Sequence, residues 1–451
     1  MKARPTIFWH RRDLRFPDNA GLYRALKAGG PVLPIFIFDQ EILRKLEDPR
    51  DARVTFIHRS VTELAEAYRS MGSDLRVYYG KPLEVWAGIV KDLQPRAVYT
   101  NRDYEPYARE RDGAVEALLE KAGATFHHYK DHLIFEGKEV QKNDGGPYTV
   151  YTPFWNKWRE RLKSRMSTFE GKEISYYLKP YPNEKYAKNL LPVAKPGKII
   201  SLQEMGFEPA RTDFPPTEVS RKLIQHYDET RDFPGTEGTS RLGVHFRHGT
   251  ISIREKARRA QGLNETYLKE LVWRDFYSNI LQHFPYVVEG PFREEYAAIP
   301  WENNEDHFAA WCAGRTGVPL VDAGMRQLNA TGYMHNRVRM IVASYLTKHL
   351  LINWQWGEHY FAKKLLDFEL ASNNGGWQWA ASCGTDAQPY FRIFNYESQQ
   401  KKFDPDFTYV KAWVPEFGTP EYPSEPLVEH KFGRERALEV YKKALAEAKR
   451  G

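Results

Sequence analysis

The chain has 451 residues, 41% of them hydrophobic, with 66 Lys and Arg against 59 Asp and Glu, a formal net charge of +7. That length allows two domains or more; no run approaches the roughly 20 apolar residues that span a bilayer, and the charge excess permits nucleic-acid contact without demanding it. The two cysteines, Cys312 and Cys383, make neither a zinc pattern nor a disulfide framework, and the N-terminal MKARPTIFWHRRDLR lacks the apolar stretch of a secretory signal, so a cytoplasmic protein without a metal site is expected.

Between Pro5 and Tyr129 strands alternate with helices. Ile7-Phe8-Trp9, Val32 to Phe38, Leu75 to Tyr79, Ala97 to Thr100 and Thr125 to Tyr129 read as short strands. Asp18 or Asn19 caps a helix through Leu26. Asp51 opens another to about Met71, striped by Val54, Ile57, Val61, Leu64 and Tyr68. Pro82 starts a third at a first helical position, and a fourth runs to Lys121. This order predicts a Rossmann-like α/β domain over residues 1–130, its parallel sheet covered on both faces. Such sheets bind ligands at the carboxyl ends of their strands. Yet the first strand runs into His10-Arg11-Arg12-Asp13-Leu14-Arg15, without a GxGxxG turn or a P-loop.

Periodicity fades across residues 131–208, which predicts a long interdomain linker. Asn143-Asp144-Gly145-Gly146 marks a turn, Pro180, Pro182, Pro192 and Pro196 punctuate the chain, and one short helix spans Pro153 to Leu162. From about Thr217 the pattern is helical, giving an all-α domain over 209–451 that closes with a charged amphipathic helix, Arg434 to Lys449.

Four constellations in this half carry chemistry. Thr239-Ser240-Arg241-Leu242 reads as a hydroxyl-capped helix start, ending at Gly249, suited to a pyrophosphate or to an ordinary cap. In the helix from Glu265 to Gln282, Glu270, Trp273, Arg274 and Tyr277 share a face that mixes charge with aromatic rings. On a helix from Met334 to Leu350, Asn336, Arg339 and Met340 share another, and Arg339 can pair with Asp367 or Glu369. The window DFELASNNGGWQWAAS, Asp367 to Ser382, packs acids, amides, two glycines and two tryptophans together. It suits a pocket for a polar aromatic cofactor, or a glycine turn flanked by core tryptophans.

TSRL at Thr239–Leu242, ELVWRDFY at Glu270–Tyr277, TGYMHNRVRM at Thr331–Met340 and NNGGWQWAASCGTDAQPYFRIFN at Asn373–Asn395 resemble the photolyase/cryptochrome flavoproteins. FWHRRDLR and YTVYTPFW are similar too, and the likeness runs from Trp9 to about Trp413. Within the family it is most like the class I photolyases that repair cyclobutane pyrimidine dimers.

The resemblance implies an antenna domain joined to a helical domain holding FAD. Tyr227, Thr239, Ser240, Arg241 and Leu242 match its phosphate-binding positions. Arg274, Arg339, Asp367, Glu369 and Asn373 match positions around the flavin, Asn373 facing N5. Glu270, Trp273, Asn336, Met340 and Trp379 match the lesion pocket, and Arg337, Arg392, Lys401 and Lys402 are candidates for phosphate contacts. Glu270 and Asn373 are the expected catalytic pair. Trp301, Trp354 and Trp377 match the tryptophan chain that carries electrons to oxidised flavin. The implied partner is UV-damaged DNA carrying pyrimidine dimers, bound by a monomer. The implied reaction is light-driven electron transfer from reduced FAD to a flipped-out dimer, with electron return.

Two points depart or stay open. In Tyr104-Glu105-Pro106-Tyr107-Ala108-Arg109, Tyr107 and Ala108 stand where folate-binding relatives carry Asn and Glu. That puts methenyltetrahydrofolate in doubt, and the EPYARERD wording at Glu105–Asp112 resembles relatives that bind an 8-hydroxy-5-deazaflavin, with a flavin or no antenna as alternatives and Arg53 and Glu105 as candidate contacts. A blue-light signalling cryptochrome and a (6-4) photolyase are the other readings; His335 followed by Asn336, rather than a histidine pair, favours cyclobutane dimers.

Overall fold

Of five short strands, the three central ones form from apolar segments buried on both faces, and the two at the edges are half-buried. In this computed structural model, which describes residues 4–448 and Arg450, β1 (Thr6–His10) and β2 (Val32–Asp39) are buried along their whole length. With β3 (Arg76–Gly80), β4 (Ala97–Asn101) and β5 (Thr125–Tyr129) they form an all-parallel sheet of order β3-β2-β1-β4-β5. Side chains alternate across it. Phe8, Phe36 and Phe38 pack into one core, while Ile7, Trp9, Ile35 and Val98 pack into the other.

The connecting helices are α1 (Ala20–Lys27), α2 (Gln40–Leu43), α3 (Ala52–Ser70), α4 (Pro82–Leu93) and α5 (Pro106–Lys121). Asn19 and Asp51 cap α1 and α3 through their side chains, and Pro82 stands at the first position of α4, as their residue types dictate. The expected α/β fold is therefore observed.

Residues beyond Tyr129 hold more regular structure than their pattern suggests. The helix expected at Pro153 is α6 (Tyr151–Lys163). A hairpin of β6 (Met166–Phe169) and β7 (Lys172–Ser175) follows. Its two-residue turn has positive φ at Glu170 (49°) and Gly171 (72°), the backbone of a tight hairpin turn. Farther on, Leu190, Leu202, Met205 and Phe207 enter one of the sheet's cores.

The rest is helical: α7 (Arg221–Gln225), α8 (Tyr227–Thr230), α9 (Gly243–His248), α10 (Ile253–Gln261), α11 (Glu265–His283), α12 (Glu305–Cys312), α13 (Pro319–Thr331), α14 (Asn336–Ser344), α15 (Trp354–Lys364), α16 (Leu370–Ala381), α17 (Tyr396–Phe403), α18 (Thr408–Trp413) and α19 (His430–Ala448). Lys449, the expected last residue of the final helix, lies outside the described residues. The chain divides into two compact units. One comprises Met1–Glu136, Trp158–Glu218 and Leu242–Gly262; the other comprises Gly137–Lys157, Val219–Arg241 and Leu263–Gly451. In the second, Trp311, Met325, Leu328, Val338, Ile341, Leu346 and Trp377 centre one core. Among the described residues no helix is long and apolar enough to cross a membrane.

Candidate active site

The window around Asn373 is neither a turn nor a loop but helix α16. Its glycines answer to different surroundings. A Cβ on Gly375 would sit 2.2 Å from Cδ1 of Tyr277, whereas one on Gly376 would meet nothing within 4 Å. Gly375 thus lets α16 lie directly against the Tyr277 ring on α11. Gly357 does the same for α15, where a Cβ would meet the Trp377 ring at 2.1 Å. Close packing, not local propensity, makes this stretch helical.

These contacts set the bearing of the amides. Asn373 Nδ2 donates to the Glu358 backbone oxygen (3.0 Å) and to Glu358 Oε1 (3.2 Å). Burial pushes the Glu358 carboxyl up from its ordinary range, against the bond from Asn373. Asn374 and Gln378 both donate to Val287 O at 2.9 Å, so these amides are satisfied.

Two guanidinium–carboxylate pairs hold the segment that enters this helix. Arg339 Nη2 lies 3.0 Å from Asp367 Oδ2, and Arg339 Nε donates to Met334 O (2.8 Å). Arg274 Nε lies 3.3 Å from Glu369 Oε2. The pair expected for Arg339 is thus the one with Asp367.

The helix start expected at Thr239 is corrected. Helix α9 begins at Gly243, with Leu242 as N-cap and no side-chain cap bond. The Thr239 hydroxyl instead meets the Tyr333 hydroxyl at 3.0 Å. Arg241 adopts φ +52°; its guanidinium pairs with Glu237 (2.7 Å) and lies over the Tyr333 ring. Tyr227 is buried edge-on to Tyr267, Ser240 is half-buried, and Leu242 is buried in the first unit.

On α11, Glu270, Trp273, Arg274 and Tyr277 are all half-buried along one face. Arg231, just past α8, donates to Glu270 Oε1. Burial pushes the Glu270 carboxyl up; Arg231 pulls the other way, and burial wins. Trp273 stacks on Tyr151, with centroids 3.6 Å apart and planes 4° apart.

The expected helix from Met334 to Leu350 is shorter at both ends. His335 caps it, Nδ1 accepting from the Arg337 N–H at 3.1 Å. From Tyr345 to His349 it widens to a π-helix, where the Thr347 hydroxyl donates to Ala343 O at 2.9 Å, a side-chain bond that loosens the helical ladder. Asn336 is exposed, and Met340 Sδ lies 3.7 Å from Arg337 Nη1. Arg337 pairs with Asp232 (2.8 Å) and caps the Phe403 ring. Burial, reinforced by Arg339 and Arg337 and opposed by Asp232, pushes the His335 imidazole down to about 4. Trp379 is half-buried beside Phe394, while Arg392, Lys401 and Lys402 are exposed.

Trp301, Trp354 and Trp377 belong to one hydrophobic cluster, the latter two buried and Trp301 half-exposed against Tyr441. In the first unit, Arg53 pairs with Asp51 (Nε to Oδ1, 2.9 Å). Glu105 accepts from Arg12 (3.2 Å) and Arg247. Both antenna candidates are thus in ion pairs, and Tyr107 donates to Asp39 at 2.8 Å.

Sequence reasoning missed Arg231, Asp232, Tyr333, Glu358 and Tyr151. Arg231 reaches a carboxylate 39 residues away and Thr239 a phenol 94 residues away. No local pattern marks such pairs.

A family model described as DNA photolyase matches residues 6–173, and one described as the FAD binding domain of DNA photolyase matches residues 267–443. A deoxyribodipyrimidine photo-lyase of Halobacterium salinarum is 38% identical over 491 residues, covering 97% of this chain and 99% of that protein. The chain belongs to the DNA photolyase family. Among solved photolyases, the bacterial class III enzyme from Agrobacterium tumefaciens superposes with a TM-score of 0.82 at 33% identity, covering 98% of both chains. The archaeal photolyase from Sulfolobus tokodaii, solved with two FAD molecules, gives 0.80 at 33% identity and covers 97% of this chain and all of that one. The donor set here fits FAD as the family's domain requires. Arg241 and the Thr239–Tyr333 hydroxyls suit a pyrophosphate, the carboxylates of Asp367 and Glu369 suit a polyol or an amine, and the Asn373 amide suits a flavin edge.

Proposed function

We propose that this protein is a light-dependent DNA repair enzyme that splits cyclobutane pyrimidine dimers. The observation that carries the reading is full-length similarity to deoxyribodipyrimidine photo-lyases, 38% over 97% of the chain. Bound and fully reduced, FAD would supply the photo-excited electron for a dimer opening that is redox-neutral overall.

The chain's own residues capture and orient. Trp273 and Trp379 serve as flat walls for the two rings of a flipped-out dimer, which stacks poorly in the duplex and costs little to extrude. Asn336 hydrogen-bonds a base edge. Glu270, in its protonated form, donates to a pyrimidine carbonyl as negative charge develops there; burial, which pushes its carboxyl up against the pull of Arg231, supports that role. Arg337 leaves Asp232 for a phosphate, joined by the exposed Arg392 and Lys401. Tyr227, Thr239, Ser240, Arg241 and Leu242 hold the cofactor's phosphates, and Arg274, Arg339, Asp367, Glu369 and Asn373 surround the rest. Trp301, Trp354 and Trp377 relay electrons inward. Residues 1–130 serve as the antenna domain, 131–208 as the linker and 209–451 as the catalytic domain. The antenna of choice is an 8-hydroxy-5-deazaflavin, supported by the EPYARERD stretch at Glu105–Asp112, with Tyr107 and Ala108 speaking against folate; an excitation band for flavin reduction outside the flavin's own absorption tests it.

Equilibrium binding in darkness tests the substrate. Duplexes carrying a cyclobutane dimer, a (6-4) photoproduct or no lesion are titrated against the flavin-loaded protein. Preference for the cyclobutane dimer is expected; preference for the (6-4) lesion, or none, overturns the reading.

A further inference from the structure

The stack of Tyr151 on Trp273 belongs to no part of the reaction described above. Tyr151 opens α6, and its ring lies flat on the indole, centroids 3.6 Å apart and planes 4° apart. The other neighbours of Trp273 meet it less squarely: Phe276 edge-on at 5.5 Å and Tyr277 tilted at 5.4 Å. Phe276 also closes the edge of Tyr151, 5.7 Å away at 84°.

Tyr151 is fastened at both ends. Its hydroxyl donates to Lys269 O at 2.7 Å, one helical turn before Trp273 on α11. Its backbone N–H donates to Asp386 Oδ2 at 3.2 Å. Asp386 lies in the loop after α16, seven residues beyond Trp379. One residue therefore ties the helix bearing the first indole wall to the loop that follows the second.

An indole has two broad faces. Tyr151 covers one face of Trp273, which leaves only the other for a base to stack on. A half-buried tryptophan without backing exchanges rotamers, and that freedom must be given up on binding. A ring already flattened on a fastened partner loses little.

We propose that Tyr151 is a positioning residue for lesion recognition, backing Trp273 and spanning Lys269 and Asp386 so that the indole face is set before the dimer arrives. The proposal rests on the repair reading. Tyr151 acts through Trp273 and does not touch the reacting bonds, so it governs capture of the dimer rather than splitting per absorbed photon.

Fluorescence-anisotropy titrations in darkness test it, with flavin-loaded parent, Tyr151→Leu and Tyr151→Phe against dimer-bearing and undamaged duplexes. Tyr151→Leu is expected to weaken dimer binding about tenfold, with affinity for undamaged duplex held within about twofold. Tyr151→Phe keeps the stack and recovers most of the lost affinity. Splitting per photon at saturating DNA is the same in all three proteins. The near-ultraviolet circular dichroism of the Tyr–Trp pair survives in Tyr151→Phe and is lost in Tyr151→Leu. Should Tyr151→Leu fail to fold, Tyr151→His is read in its place. Unchanged dimer affinity in Tyr151→Leu, beside a parent that discriminates the lesion, overturns the proposal. Equal weakening on both duplexes also overturns it, because that marks a structural role alone. A parent that does not discriminate overturns the repair reading itself, and the proposal with it.

Discussion

Gly375 and Gly376 are adjacent on α16, yet adding one methyl group to each should have opposite effects. At Gly375 the new Cβ would lie 2.2 and 2.3 Å from Cδ1 and Cε1 of Tyr277, about 1.2 Å short of the 3.4 Å where ordinary contact begins. The obstacle is a ring, half-buried and held between Trp273 and Phe276, so α16 or α11 must move. Overpacking of this depth falls in the upper part of the range of about 1–3 kcal/mol. The gain in helix propensity returns about 1 kcal/mol, leaving Gly375→Ala about 1–2 kcal/mol less stable. At Gly376 the methyl group meets nothing within 4 Å, so only the propensity gain remains, about 0.5–1 kcal/mol in favour of Ala. Chemical denaturation followed by tryptophan fluorescence reads the difference, since most tryptophans lie in the second unit. Because α16 also carries Asn373 and Trp377, Gly375→Ala should retain less flavin after gel filtration. Equal stability of the two variants would refute the claim that Gly375 exists to admit Tyr277.

Three further outcomes follow from the same geometry. Arg339→Met breaks the half-buried pair with Asp367 (3.0 Å) and should cost about 1–2 kcal/mol, with a lower flavin-to-protein ratio that Asp367→Asn reproduces; full flavin content in both would count against the assignment. Trp377→Phe should slow photoreduction of oxidised flavin by a thiol more than about tenfold while sparing repair by flavin reduced beforehand, and normal photoreduction would remove Trp377 from the relay. Lys348 is fully buried, donates to Ser382 Oγ at 2.9 Å and lies over the Tyr441 ring, and burial pushes its amine down to about 7 from its ordinary 10.5. The unfolded chain then holds the extra proton between those values, so this contribution to stability grows from pH 7 toward 10.5 and is lost as pH falls back. Lys348→Met should flatten that part of the stability–pH curve; an unchanged slope would refute it.

The sheet was legible because its central strands answer to one demand, burial on both faces, and because Asn19 and Asp51 cap their helices through their side chains while Pro82 opens another at its first position. The hairpin at Met166–Ser175 was not legible, since its four-residue strands bury only Ser175 and only Glu170-Gly171 announces the turn. Thr239 and Ser240 look like caps in sequence, but Tyr333 takes the Thr239 hydroxyl. The Asn373–Trp379 stretch contains a glycine pair that disfavours a helix, and packing on Tyr277 and against Gly357 overrides it. The shared face of Glu270 and Trp273 followed from helical spacing. The groups on its far side, Arg231 and Tyr151, arrive from elsewhere in the chain.

Light-driven repair is read out by illuminating the photoreduced protein with a dimer-bearing oligonucleotide and counting intact thymines against a dark control. Restoration is expected under blue light only, with about one dimer or fewer opened per absorbed photon. Bound, reduced flavin with no restoration in the light, or equal restoration in darkness, would contradict it.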